Sequence, residues 1–113
     1  MNKFNLITIS YYPYFSHKNT TVCYGDADAE YMPFIVTLNV DSIMSIADKP
    51  RTLKVYKSYK DAGTDACVSK NLHLLTTNAG VGRGINGVDF KDYFITEKSY
   101  QKLMDVLNPV QCI

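Results

Sequence analysis

Tryptophan is absent from this 113-residue chain, arginine occurs only as Arg51 and Arg83, and the formal net charge is +1. With so little net charge, no global field draws the protein onto DNA or an acidic membrane. Arginine is the residue best suited to bidentate phosphate and guanine contacts, so its scarcity leaves nucleic-acid binding to a local patch. No apolar run approaches the roughly 18 residues that indicate a transmembrane helix, and no clear signal-peptide cleavage site follows the N-terminus. We therefore expect a cytoplasmic protein.

Cysteine is also scarce, with Cys23, Cys67 and Cys112 in no C-x-x-C pattern. An odd number at these spacings argues against a disulfide framework and against a zinc site made of cysteine alone. Cys67 and His73 share a face of one predicted strand, but six residues of strand span about 20 Å, which is too far for a catalytic dyad. We interpret the cysteines as free thiols and predict no catalytic residues.

A metal site is not expected either. Asp26, Asp28 and Glu30 resemble the start of a calcium-binding loop, but Tyr31 stands where that loop requires glycine. We interpret the three carboxylates as acids near a helix terminus, and we predict neither a metal nor a cofactor. The chain could still be an enzyme with a site of unfamiliar type, although its residues favour a protein without catalysis.

The bulk composition is that of a folded domain. Hydrophobic residues make up 46% and charged residues 20% of the chain, which are ordinary globular values. A chain of this length fits one domain, residues 1–113. Nine tyrosines, with abundant Asn, Ile and Lys, correspond to A/T-rich codons and suggest a low-GC source, such as a bacteriophage or one of the low-GC bacteria.

Most of the chain has the composition of strands. Six segments are rich in β-branched and aromatic residues, at 4–12, 20–24, 34–40, 51–60, 66–76 and 88–95. Two short helices are expected at 26–32 and 43–47, and a turn at 16–20. Thr96 is the predicted cap of a final helix over 97–108, where apolar residues recur at helical spacing. This pattern predicts an α+β fold, with a mainly antiparallel five- or six-stranded sheet and the C-terminal helix packed on one face.

The glycine-rich segment 78–87 is the most distinctive motif, because Gly82, Gly84 and Gly87 satisfy G-x-G-x-x-G. Too few residues follow for a closed βαβ unit, and Val88 replaces the lysine of a Walker A loop. The favoured interpretation is a hairpin turn at Asn86-Gly87. The alternative is a binding loop in which Arg83, Gly82 and Gly84 contact a phosphate or a carboxylate.

Two other surfaces are candidates for binding. The segment Tyr11–Phe15 holds four aromatics in five positions, and we expect Tyr12, Tyr14 and Phe15 to include anchors for a partner protein. Its alternative role is packing in the core.

The second surface is a predicted strand face with Lys54, Tyr56 and Lys60. Lysines interleaved with tyrosine could hold single-stranded nucleic acid, with bases stacking on the ring and ammonium groups meeting phosphates. The simpler interpretation is a solvated edge strand protected by its charges.

These observations favour a small non-enzymatic protein that binds another macromolecule, in keeping with an inhibitor or accessory factor from a phage or mobile element. The alternative is a domain that binds a small ligand, a nucleotide or single-stranded nucleic acid through the glycine-rich loop and the Lys/Tyr face. A homodimer through the tyrosine-rich segment or a sheet edge is also open.

Overall fold

The computed structural model describes residues 5–26, 28–29, 31–81 and 88–107, without the side chains of 79–81 and 88–89. Eight strands and one helix make up the fold. They are β1 (Leu6–Tyr12), β2 (Tyr14–His17), β3 (Thr20–Tyr24), β4 (Phe34–Asn39), β5 (Ile43–Ile46), β6 (Arg51–Tyr56), β7 (Cys67–Val81), β8 (Val88–Thr96) and α1 (Glu97–Leu107). Single 3₁₀ turns occur at Val40–Ser42 and Tyr59–Asp61.

All eight strands belong to one sheet, in the order β2-β3-β6-β7-β8-β1-β4, with β5 beside β7. The α+β class and the C-terminal helix are confirmed. The expected five- or six-stranded antiparallel sheet is wrong, because the sheet is larger and mixed. Its parallel pair is β3 with β6, joined at Cys23–Val55 and Tyr24–Tyr56.

The two additional strands explain the difference in strand number. Segment 14–17, which overlaps the expected turn, continues β1 after Pro13 and pairs with β3 as β2. The turn itself is only Lys18-Asn19, where both residues have the positive φ of a type I′ hairpin. Segment 43–46, expected to be helical, is β5 and pairs with β7. Its sequence I-M-S-I is too short to show a period, and pairing with β7 decided its conformation.

The expected helix at 26–32 is also replaced, here by a tight loop. The Asp26 amide donates to the Met32 carbonyl at 2.9 Å, and Tyr31 has a φ of 63°. A helix cannot contain that left-handed conformation, so hydrogen bonding across the base of the loop prevails over the weak capping signal of Asp26.

The first strand is what closes the sheet. Tyr11 and Tyr12 of β1 pair with β8 on one side, and the continuation of the same chain as β2 pairs with β3. Since β3 reaches β8 through β6 and β7, the strands return to their starting point. Pro13 lies at the junction of β1 and β2, where its carbonyl accepts from the Tyr24 amide at 3.1 Å.

Two hydrophobic clusters occupy opposite faces of the strands. One lies within the returning sheet and consists of Tyr12, Cys23, Leu53, Val55, Leu72 and Phe94. The other packs beneath α1 and consists of Ile7, Ile9, Leu75, Tyr93, Ile95 and Leu103. Adjacent residues such as Phe94 and Ile95 enter different clusters, because successive side chains of a strand point to opposite faces.

Helix α1 covers the edge of β1 that β8 leaves open. The Ser10 amide donates to Ser99 Oγ at 2.8 Å, and Lys102 Nζ donates to the Thr8 carbonyl at 2.8 Å. Thr96 Oγ1 accepts from the Ser99 amide at 3.2 Å, which confirms the predicted cap. The helix thereby satisfies backbone groups that a strand neighbour would otherwise satisfy.

Replacing Leu103 with Asp is expected to unfold the domain, because Leu103 is fully buried against the strands and an isolated carboxylate there has no partner. Circular dichroism and the melting midpoint measure the effect. Val106→Asp is the matched control, since Val106 is 47% exposed on the same helix. Equal melting midpoints for the two variants would show that Leu103 does not hold the helix to the sheet.

Candidate functional site

Four aromatic side chains meet on one surface of the domain: Phe15, Tyr24, Phe34 and Tyr59. We call this group the aromatic surface. The ring centroids of Phe15 and Tyr59 are 4.7 Å apart, and each lies 5.9 Å from that of Tyr24. The Phe34 centroid is 6.1 Å from that of Tyr24. These separations are typical of favourable aromatic pairs.

The sheet topology brings these residues together from distant positions in the sequence. Tyr24 is the last residue of β3 and Phe34 is the first of β4. Both strands pair with the same continuous segment, β3 with β2 and β4 with β1. Tyr24 and Phe34 therefore lie next to each other at the ends of their strands, and the described residues between them form a loop. Tyr59 reaches the group from the 3₁₀ turn that follows β6.

The loop at 25–33 is fastened at both ends. The Gly25 amide donates to the Tyr56 carbonyl at 2.9 Å, and Tyr12 Oη donates to the Tyr31 carbonyl at 2.8 Å. A side chain at Gly25 would place its Cβ 2.9 Å from Tyr31 backbone atoms. Glycine is therefore required where the two ends of the loop cross, and the loop holds Tyr24 and Phe34 side by side.

A cleft of about 340 Å³ opens at this surface, lined by Tyr24, Gly25, Phe34, Ser58, Tyr59 and Lys60. Tyr59 is 61% exposed, which is high for so large an aromatic side chain. Tyr11 extends the row of rings towards the core, 6.1 Å from Phe34 and 5.0 Å from Tyr93. The site is apolar at its walls and carries one lysine at its rim.

The three aromatics predicted to bind a partner have three different environments. Tyr12 is 2% exposed and belongs to the interior cluster, so it is not part of the candidate surface. Residues Leu6 and Thr8 on the same face of β1 are exposed, and Tyr12 is buried because the closing strands cover this end of the face. Burial raises the pKa of its hydroxyl, which acts as the donor to Tyr31. Phe15 is half-buried within the aromatic surface.

Tyr14 is 42% exposed and lies apart from the aromatic surface. Its ring packs edge-on against Phe94, with centroids 5.1 Å apart. Its hydroxyl donates to Asp92 Oδ2 at 3.5 Å, and partial burial, followed by this carboxylate, raises the pKa of Tyr14. Tyr14 and Phe15 separate because consecutive strand residues face opposite ways.

The expected Lys/Tyr strand face is not assembled. Strand β6 ends at Tyr56, which is 4% exposed and offers no ring for stacking. Lys60 lies in the following 3₁₀ turn, at the rim of the aromatic cleft, whereas Lys54 and Tyr56 both line a separate cleft. Lys60 is separated from the other two because the chain leaves the strand before it, and strand alternation no longer applies.

The glycine-rich candidates Gly82, Arg83 and Gly84 lie outside the described residues, as does the predicted turn at Asn86-Gly87. The strands on either side pair antiparallel as far as Val81 and Val88. The segment therefore connects two neighbouring strands, while its binding role stays a prediction.

Sequence reasoning missed Tyr24, Phe34 and Tyr59 as site residues. A local signal existed for two of them, because Tyr24 precedes Gly25 and Phe34 follows Pro33, so both lie where a strand meets a loop. Nothing local links them to Tyr59, which joins the group only through the pairing of β3 with β6.

His73, expected to face outward, is 3% exposed. Its Nδ1 lies 2.8 Å from the Ala47 carbonyl and donates to it. Its ring stacks on Tyr100 with centroids 3.8 Å apart. Through these contacts His73 connects the segment between β5 and β6 to α1, so its role is structural. Within residues 5–26, 28–29, 31–81 and 88–107, no group of three or more His, Cys, Asp or Glu side chains is placed to hold a metal ion.

Comparison with known proteins identifies no family for this chain. No protein-family model, curated protein or solved structure matches the chain. In the part of the chain that the structure describes, no helix is long and apolar enough to span a membrane.

The thiols of Cys23 and Cys67 are expected to react differently. Cys23 is fully buried, whereas Cys67 is partly accessible. Iodoacetamide at about pH 8 should label Cys67 in the folded protein and reach Cys23 only after denaturation. Peptide mass spectrometry measures both sites. Equal labelling of the two thiols in the folded protein would contradict this burial.

Burial raises the pKa of the Cys23 thiol from 9.0 to about 12, a shift that the positive charge of Arg51 partly opposes. The folded state therefore favours the neutral thiol, and this stabilisation is complete below pH 9 and lost as the pH rises towards 12. We expect the free energy of unfolding to fall more steeply over this range in the wild type than in Cys23→Ala. Urea denaturation at successive pH values provides the measurement, and parallel pH profiles would refute the expectation.

Proposed function

We propose that this protein is a non-enzymatic binding protein that holds a partner protein against its aromatic surface. The supporting observation is the gathering of four rings around a cleft, with Tyr59 largely exposed at its side. Exposed tyrosines held by neighbouring rings are frequent anchors of protein interfaces, since they bury a large area at little cost in conformational entropy.

Charge favours a protein partner over nucleic acid at this site. Among the described residues that line the cleft, Lys60 is the basic one. Nucleic-acid affinity depends mainly on several phosphate contacts, which one lysine does not supply. An apolar or aromatic side chain of a partner fits between Tyr24, Phe34 and Tyr59, and its polar end meets Ser58 or Lys60 at the rim.

The biological setting is part of the proposal. Small size, near-neutral charge and a composition typical of A/T-rich genomes favour an inhibitor or accessory factor encoded by a phage or mobile element. Binding of nucleotides or single-stranded nucleic acid is the alternative, and a second copy of this chain is one candidate partner.

The proposal predicts that Tyr59→Ala weakens partner binding about 30-fold or more, the loss typical of an interface hot spot. The tagged protein is incubated with lysate of its source cells, captured proteins are identified, and the affinity of the purified partner is measured by calorimetry. Phe90→Ala is the matched control, because Phe90 is also 60% exposed but lies on β8.

Three outcomes would refute a protein partner at this surface. They are the absence of any specific partner, equal affinities of wild type and Tyr59→Ala for the partner, and loss of the captured proteins after nuclease treatment. Sedimentation of the purified wild type and Tyr59→Ala shows beforehand whether the partner is a second copy.

A further inference from the structure

A second cleft lies where the parallel strands β3 and β6 separate. These strands are joined only at Cys23–Val55 and Tyr24–Tyr56. The residues that precede those pairs in each strand line a cleft of about 600 Å³, together with His17, Lys18 and loop residues 63–65. This volume lies within the range of small-molecule sites.

The lining of this cleft is strongly biased towards positive charge. It includes Lys18, Arg51 and Lys54, and of the described residues around it Asp65 is the acidic one. Three cations against one carboxylate leave a formal charge of +2 with His17 neutral, although the whole chain carries only +1. A cleft concentrates such a charge, because its protein walls screen less than water does.

The walls of the cleft are held in place without a ligand. Lys18 occupies the type I′ turn between β2 and β3, with a φ of 50°. Gly63, at a φ of 86°, packs so closely that an added Cβ would lie 2.9 Å from His17 Nε2. The guanidinium carbon of Arg51 lies 5.4 Å from the centroid of the buried Phe94 ring. The backbone of the cleft and the Arg51 side chain are therefore in place before a ligand arrives, which lowers the entropy cost of binding for these parts of the site.

Hydroxyl groups complete the lining. Thr52 Oγ1 donates to Asn71 at 2.6 Å and Thr64 Oγ1 donates to the Asp61 carbonyl at 2.6 Å, so both protons are engaged. Thr20 and Thr21 supply the other two hydroxyls. Because consecutive residues of β3 face opposite ways, one of these two hydroxyls can serve as a neutral donor beside the charged ones, the combination that proteins use for phosphate.

We propose that this cleft binds the phosphate group of a small phosphate monoester. A monoester carries about −1.5 to −2 at neutral pH, which balances the charge of the lining, whereas a single carboxylate would leave part of it uncompensated. Single-stranded nucleic acid fits less well, because Tyr56 is only 4% exposed and offers no face for a base to stack on.

Calorimetry and NMR titration at low ionic strength test the site with inorganic phosphate, a nucleoside monophosphate and a short single-stranded oligonucleotide. We expect both small phosphates to bind and to shift amide signals at Lys18, Thr20 and Lys54. In Lys18→Gln/Lys54→Gln their affinity should fall about 10- to 100-fold, from the loss of charge-assisted hydrogen bonds. Both lysines are exposed, so the fold should persist, which circular dichroism checks.

Lys70→Gln is the matched control, since Lys70 is exposed on β7 and does not line this cleft. Tyr59→Ala should bind phosphate as the wild type does, so the test is independent of the aromatic surface. The proposal is overturned if millimolar phosphate and nucleotide cause no shifts at the cleft, if Lys18→Gln/Lys54→Gln and Lys70→Gln bind equally, or if only the oligonucleotide binds.

Discussion

The fold depends on one continuous strand that pairs on both sides as it bends at Pro13. Its first part meets β8 at Tyr11 and Tyr12, and its second part, β2, pairs with β3. On the other edge of β3, the sheet is closed by the short parallel pairing of β3 with β6. Because so few backbone pairs close the sheet, side-chain burial around Phe94 and Val55 has to support them.

Both candidate sites lie where these strand pairings begin or end. Beyond Tyr24 the chain loops out and resumes as β4, which leaves Tyr24 and Phe34 in contact at the edge of the loop. Before Cys23 and Val55 the two parallel strands separate, and the cationic cleft opens between them. The residues after Tyr56 turn over the outside of β2 and β3, so Tyr59 joins one site and Gly63 borders the other.

The two sites differ in the chemistry they offer. The aromatic surface presents apolar rings with a single lysine, which favours the side chains of a protein. The cleft beside Lys18, Arg51 and Lys54 presents charge and hydroxyls, and its tyrosine, Tyr56, is buried. This lining favours a small anion.

Local patterns predicted all six longer strands and the terminal helix, including its Thr96 cap, because β-branched composition and the spacing of Tyr100, Leu103 and Leu107 act within a few residues. They failed at 14–17 and 43–46, where segments of four residues take their conformation from a neighbouring strand.

The sequence by itself determined the six longer strands, where the helix begins, and that Leu103 lies on the helix face that packs against the sheet. It could not determine that Tyr12 faces inward while Phe15 joins Tyr24 and Tyr59, nor that Lys54 and Lys60 end on different surfaces. Those outcomes follow from which strands pair and where each pairing stops. Such contacts join residues far apart in the chain, and strand period alone carries no information about them.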